Sequence, residues 1–243
     1  MKTEEQLTQL VSKLKKAAES NLLSVVLYGS AATDEFHPEH SDLNVLCIVR
    51  DLSRDELSKL GPASTWWAKR GHPAPLYLTQ EELHHSADIF AIELLDIKVA
   101  RRILYGEDVI APLEVPTERH RMQVEREFRN NTLRLRQHYV QLAAESRKTL
   151  DLMLSSISTF TALFRHALLA LGEEPPTTKR ATLDRAGSTL GFDPAPFHLL
   201  LDIREKRRRA SEVDVQATFD KYLHAVVKAT EEVDRRLASG GTT

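Results

Sequence analysis

The chain has 243 residues, of which 42% are hydrophobic and 28% are charged, a composition typical of a globular protein with a packed core. Its 33 basic and 35 acidic side chains give a formal net charge of −2, which creates no overall field for nucleic acid or an anionic membrane. The one cysteine, Cys47, excludes an internal disulfide. We therefore expect a cytoplasmic protein without a nucleic-acid or membrane partner.

Two further features agree with that location. The polar start, Met1–Gln6, does not resemble a signal peptide. The apolar stretch Leu152–Phe164 is interrupted by serines and threonines and is shorter than the roughly 20 residues that span a bilayer.

The first half of the chain alternates helical and extended patterns. Leucines and valine at helical spacing between Leu7 and Ala18 predict an amphipathic helix. Short apolar runs then predict buried strands, and the polar segments between them predict helices. The predicted strands are 22–28, 43–49, 76–78 and 89–97. The segment 54–70 has a helical pattern with a break at Gly61-Pro62, and Thr79 with Glu82 forms a capping box that begins another helix.

From Val115 onward, helical periodicity replaces the short strands. Gly172 predicts one helix end, and Asp193-Pro194 predicts a helix start. The apolar stripe between Phe160 and Leu171 predicts the core of a helical bundle. We therefore predict an α+β domain over residues 1–113, with a small mixed sheet and flanking helices, followed by an all-α bundle over residues 114–243.

Candidate chemistry lies where the first two strands meet. The strand ending at Tyr28 runs into Gly29-Ser30, where backbone amides can donate to a phosphate. Ser41-Asp42-Leu43-Asn44 opens the second strand, and residues two apart on a strand leave the same face. Together with an acid from a later strand, Asp42 and Asn44 can hold Mg²⁺ and thereby stabilise the charge of a transferring phosphoryl group.

Two acids are candidates for the third ligand. Glu93 and Asp96 are three residues apart, so on a regular strand they would face opposite sides and could not share one metal ion. We favour Glu93, which stands between Ile92 and Leu94, because a charge among buried strand residues requires a partner. Asp96 is the alternative. An ion pair between Glu93 and a neighbour such as Arg101 would instead give Glu93 a structural role.

At these residues the sequence resembles the nucleotidyltransferase superfamily, which includes DNA polymerase beta and the aminoglycoside adenylyltransferases. The pattern is a hydrophobic strand ending in Gly29-Ser30, a short helix, the Ser41–Asn44 motif and a later acid. The resemblance covers roughly residues 20–110. It implies a polymerase beta-like fold and a helical second domain that often completes the substrate site. It further implies catalytic and metal roles for Asp42, Asn44 and Glu93, and nucleotide binding by Gly29, Ser30 and Ser41.

The resemblance implies transfer of a nucleoside monophosphate from a nucleoside triphosphate (NTP) to a small hydroxylated or protein acceptor, with Mg²⁺ or Mn²⁺ as cofactor. Two departures weaken the metal site: Asn44 stands where the family has its second acid, and Asp34-Glu35 add negative charge near the triphosphate position. These departures favour an alternative, an inactive regulator of the same fold that binds a nucleotide or a protein. A structural homodimer formed through the bundle is a third hypothesis.

Overall fold

A computed structural model describes residues 3–32, 42–142 and 145–239. The chain divides into two compact units, residues 1–116 and 117–243. In the described residues the first unit holds a four-stranded open sheet with helices, and the second holds helices without a strand. The predicted fold class, α+β followed by an all-α bundle, is therefore confirmed.

The first unit begins with helix α1 (Thr3–Ala18) and strand β1 (Leu22–Tyr28), which ends in a short 3-10 turn over Gly29–Ala32. The remaining elements are strand β2 (Asn44–Val49), helix α2 (Arg54–Ala68), strand β3 (Leu76–Thr79), helix α3 (Gln80–His85), helix α4 (Ala91–Val99) and strand β4 (Arg101–Gly106). The strand order is β3-β2-β1-β4. β1 pairs antiparallel with β2 and β4, whereas β2 pairs parallel with β3.

Alternation along the strands produces two separate cores, one on each face of the sheet. Val45, Cys47 and Val49 on β2 pack with α1 and α2 and with the fully buried Trp67. Leu46 and Ile48 face the opposite side, where they pack with apolar residues of α3 and α4. Both faces of the sheet are therefore covered by helices.

The prediction of a strand over residues 89–97 is wrong, because this segment forms α4 and the fourth strand follows it as β4. Ala91, Leu94 and Ile97 are its buried residues, and a spacing of three places them along one side of a helix. The apolar run is short and nearly uniform, so its periodicity does not separate a strand from a helix.

Two other local predictions have clear outcomes. The expected break at Gly61-Pro62 is absent, because α2 is continuous through Pro62. The capping box is confirmed: the Thr79 hydroxyl accepts from the Glu82 N–H at 3.0 Å, and the Glu82 carboxylate accepts from the Thr79 N–H at 2.8 Å.

The second unit consists of α5 (Thr117–Leu142), α6 (Ser146–Ala170), α7 (Lys179–Leu190), α8 (Ala195–Arg204) and α9 (Val215–Ser239). Phe160 and Phe164 of α6 are buried with Phe197 of α8 and Tyr222 of α9, which confirms that the predicted stripe is core. Among the described residues, α6 is the one helix long and apolar enough to cross a membrane, and half of its apolar window is buried inside the protein.

Candidate functional site

The candidate site lies at the end of the sheet where β1 stops and β2 begins. Tyr28 pairs with Asn44 on β2 and with Arg101 on β4, so these three residues lie side by side across the sheet. Gly29 follows with a φ of +79°, a backbone conformation that L side chains rarely adopt. The Gly29 N–H donates to the Ala100 carbonyl at 3.0 Å, which fixes this turn to the chain between α4 and β4.

The side chain of Asn44 lies directly over Gly29. A Cβ placed on Gly29 would lie 3.5 Å from Nδ2 of Asn44. Asn44 shares the strand face of Leu46 and Ile48, the face covered by α4, and it is half-buried. The structure therefore brings together the glycine turn and the amide that were predicted to form one site.

Asp42 is exposed and precedes β2 by two residues, and its neighbour Leu43 is buried in the core beneath α1 and α2. Ser41, Asp34 and Glu35 lie outside the described residues. For Ser30 the structure describes the backbone turn. The roles assigned to Asp42, Ser30 and Ser41 stay predictions.

The two candidates for the third acid both lie on α4. Three residues on a helix correspond to a turn of about 300°, so Glu93 and Asp96 lie on neighbouring parts of one side. The argument that they face opposite sides is therefore wrong, because it assumed a strand. Glu93 is exposed and Asp96 is half-buried. The role of Glu93 as third ligand stays a prediction.

The distance along α4 distinguishes these two acids. The helix ends beside Gly29, because Ala100 accepts the Gly29 N–H and its own N–H donates to the Asp96 carbonyl. With a rise of 1.5 Å per residue, Asp96 lies about 6 Å from Ala100 along the axis and Glu93 about 10 Å. Asp96 is thus nearer to the turn.

Arg101 and Asp108 form an ion pair that sequence reasoning missed. Nη2 and Nε of Arg101 donate to the Asp108 carboxylate at 2.8 and 3.0 Å, and Nη1 donates to the Lys98 carbonyl. This pairing lowers the pKa of Asp108. Opposite charges seven residues apart on either side of Gly106 were the available signal. The arrangement ties the start of β4, and with it the acceptor of the Gly29 N–H, to the loop after β4.

Asp42 carries a carboxylate, Asn44 a neutral amide oxygen and the acids of α4 further carboxylates, which are the ligand types that a hard divalent cation prefers. In the parts of the chain that the structure describes, no three His, Cys, Asp or Glu side chains form a metal-binding group.

Comparison with known proteins agrees with this geometry. Residues 7–97 match the family model of the nucleotidyltransferase domain. Most of the first unit is therefore similar to a nucleotidyltransferase domain. Members of this family generally use a divalent metal ion. No curated protein matches the chain.

One solved structure extends the fold comparison over both units. Spectinomycin adenyltransferase AAD(9) from Enterococcus faecialis, solved with ATP and spectinomycin, is 14% identical with a TM-score of 0.54, covering 96% of this chain and 100% of that one. At this identity the likeness shows a shared fold. A nucleotidyltransferase-like protein from Exiguobacterium sibiricum is 15% identical with a TM-score of 0.35, covering 96% of this chain and 74% of that one.

Proposed function

We propose that the nucleotidyltransferase domain transfers a nucleoside monophosphate from an NTP to a small hydroxylated molecule or to a protein. One observation carries this proposal: the amide of Asn44 lies over Gly29, at 3.5 Å from the position of a Cβ on that residue. A positive-φ glycine leaves room for a phosphate to approach the backbone at this place. Asp42, two residues earlier, brings a carboxylate to the same strand end.

Gly29 and Ser30 would hold the β- and γ-phosphates through backbone amides, with Ser41 assisting. Asp42, Asn44 and an acid of α4 would hold the divalent ion, Mg²⁺ or Mn²⁺. When bound, this ion neutralises charge on the triphosphate. The acceptor oxygen attacks the α-phosphorus, the bond from that phosphorus to pyrophosphate breaks, and positioning supplies most of the catalysis.

The helix geometry of α4 supports Asp96 as the third acid in place of Glu93, because Asp96 lies nearer to Gly29 along the helix. Glu93→Gln and Asp96→Asn form a matched pair, since each removes one charge with little change of shape. We expect Asp96→Asn to weaken Mn²⁺ binding, measured by calorimetry with ATP present, by about tenfold, equivalent to about 1.4 kcal/mol. A larger loss for Glu93→Gln would restore the original assignment.

A second function is supported by Asn44 itself. Its amide offers a neutral oxygen where a carboxylate would carry a negative charge. The site therefore has one negative charge fewer with which to bind the metal ion of a triphosphate. A protein that binds a nucleotide without transferring it, and that regulates a partner, is consistent with this substitution.

Turnover separates the two functions. We suggest incubating the protein with each of the four labelled NTPs and with Mg²⁺ or Mn²⁺. ATP and spectinomycin are the first probes, because the AAD(9) structure contains both. Transfer of label to the acceptor or to the protein itself supports the transferase. ATP binding by calorimetry without any transfer supports the regulator. A protein that neither binds ATP nor transfers label would contradict both functions.

Asn44→Asp is the sharpest single variant. We expect the restored acid to strengthen Mn²⁺ binding about tenfold and to raise turnover, because it adds a charged ligand at the metal position. Asn130→Asp on α5 is the control, since it adds the same charge in the other unit. Unchanged metal affinity in Asn44→Asp would argue against placing Asn44 at the metal.

A further inference from the structure

A groove in the second unit lies between α8, the connection that follows it and the first turns of α9. Its volume is about 370 Å³, within the range of roughly 300–1,000 Å³ that is typical of small-molecule sites. Leu199 of α8 and Ala217 of α9 belong to its apolar wall. Its charged side chains are Arg208, Glu212, Asp214 and Lys221.

The backbone that carries Arg208 is fixed against the end of α8. The chain leaves this helix through Lys206, whose φ is +58°. The N–H groups of Arg207 and Arg208 then both donate to the Asp202 carbonyl, at 2.8 and 3.2 Å. A residue other than glycine stays in this left-handed conformation only where the surrounding structure holds it. The fold therefore sets the position from which the Arg208 side chain reaches the groove.

Arg208 differs from the other arginines of this connection in its lack of a partner. The guanidinium groups of Arg204, Arg207 and Arg209 each contact an oxygen of another side chain, at 2.6, 3.0 and 3.4 Å. Within residues 3–32, 42–142 and 145–239, the Arg208 guanidinium has no such contact. An arginine at a groove with its hydrogen-bond donors unused can bind an anion there.

The positive charges of the groove are not neutralised by its acids. Lys221 has no carboxylate three or four residues away on α9, and it forms no ion pair with any described residue. Glu212 is paired with Arg209 at 3.4 Å, and Asp214 accepts the Ala217 N–H at 3.1 Å. Because Asp214 lies at the start of α9, the helix dipole offsets its charge. The charge left without a counter-charge is therefore positive.

We propose that this groove binds a small organic anion, a carboxylate attached to a compact apolar body. The guanidinium of Arg208 donates to the carboxylate, and Lys221 supplies a second positive charge. The apolar body packs on the wall that includes Leu199 and Ala217. The groove shares no residue with the proposed nucleotide site, so this inference does not depend on the proposed function.

Benzoate is a suitable probe, because it joins a carboxylate to an apolar ring, and benzamide is its neutral counterpart. Binding to the whole protein is followed by NMR of the backbone amides. We expect benzoate at millimolar concentrations to shift the resonances of Arg208 and Lys221, and benzamide to bind at least about tenfold more weakly. Benzamide that binds as tightly as benzoate, or benzoate that moves neither resonance, would overturn the proposal.

Substitutions then locate the site. We expect Arg208→Gln and Lys221→Gln each to weaken benzoate binding about tenfold, because each removes a charge that faces the carboxylate. Arg207→Gln and Lys228→Gln are the matched controls, since each removes one exposed positive charge from the same segment outside the groove. Both controls should bind benzoate as the wild-type protein does. An equal affinity in all these proteins would place benzoate elsewhere and overturn the assignment.

Inorganic phosphate tests the contribution of the apolar wall. We expect phosphate to displace benzoate only at about tenfold higher concentration, because phosphate has no apolar body to pack in the groove. Phosphate that displaces benzoate at equal concentration would show that the groove recognises negative charge alone, and the assignment of a carboxylate with an apolar body would then be wrong.

Discussion

At the scale of single residues, the Gly29 turn and Asn44 could be predicted from the sequence, because a strand ending in glycine and a strand opening with polar residues are local patterns. The alignment of β2 with β3 could not. It depends on the register between the two strands, which pairs residues thirty positions apart. No local periodicity records such a pairing.

Two glycines illustrate how differently one substitution can act. Gly106 has a φ of +77°, and a Cβ there would lie 1.9 Å from the Leu23 carbonyl oxygen. We expect Gly106→Ala to lower the free energy of unfolding by at least about 3 kcal/mol, from backbone strain and the clash together. Gly61→Ala, in a helix with open space around it, should raise stability by about 0.5–1 kcal/mol.

Urea denaturation measures both changes. The two variants add the same methyl group, so a difference between them reports the local backbone and packing. A Gly106→Ala protein as stable as Gly61→Ala would show that β1 and β4 do not approach as described.

At the scale of elements, the sheet and its partners follow from hydrophobic patterning, and α4 shows where that patterning stops. The run before Arg101 is apolar on most sides, so a strand and a helix explain it equally well. Tertiary packing decides between them, because Leu94 and Ile97 pack with Leu46 on one face of the sheet. The preferred third acid changed from Glu93 to Asp96 because this segment is a helix and not a strand.

The Arg101–Asp108 ion pair holds the start of β4 in place beside the Gly29 turn. We expect Asp108→Asn to lower stability by about 1–3 kcal/mol, because Arg101 loses its partner and the Ile110 and Ala111 N–H groups lose a charged acceptor. Thermal unfolding at neutral pH measures this loss, and Glu107→Gln, one residue earlier and exposed, is the control.

The same pair gives a pH dependence of known sign. The folded pKa of Asp108 is lowered by Arg101, so its contribution is present above the unfolded pKa and is lost as pH falls through the lower, folded value. A Glu107→Gln protein as destabilised as Asp108→Asn would contradict the special role of the pair.

At the scale of the molecule, the second unit contains a buried pair of histidines that should make it sensitive to acid. Nε2 of His120 on α5 lies 3.0 Å from Nδ1 of His166 on α6, and both side chains are buried. Burial, the neighbouring His166 and Arg121 lower the pKa of His120 to about 4. Because the unfolded chain then binds more protons, stability is present above about pH 6.5 and falls as pH drops toward 4.

We expect this histidine to cost the second unit about 3 kcal/mol of stability between pH 6.5 and pH 4, as one proton is taken up on unfolding. Urea denaturation followed by circular dichroism across that range measures the slope. His120→Gln keeps a nitrogen near Nε2 without a titrating ring, so its slope should be smaller. Equal slopes for both proteins would place the acid sensitivity elsewhere.

We propose that Gly29, Asp42 and Asn44 together form a nucleotide site. A crystal structure with Mn²⁺ and a non-hydrolysable ATP analogue tests this most directly, because the anomalous signal of manganese locates the ion without assumption. We expect the manganese peak between Asp42, Asn44 and the phosphates, with the β- and γ-phosphates at the Gly29 amide. A nucleotide bound away from Gly29, or a manganese ion that contacts neither Asp42 nor Asn44, would contradict this assignment of the nucleotide site.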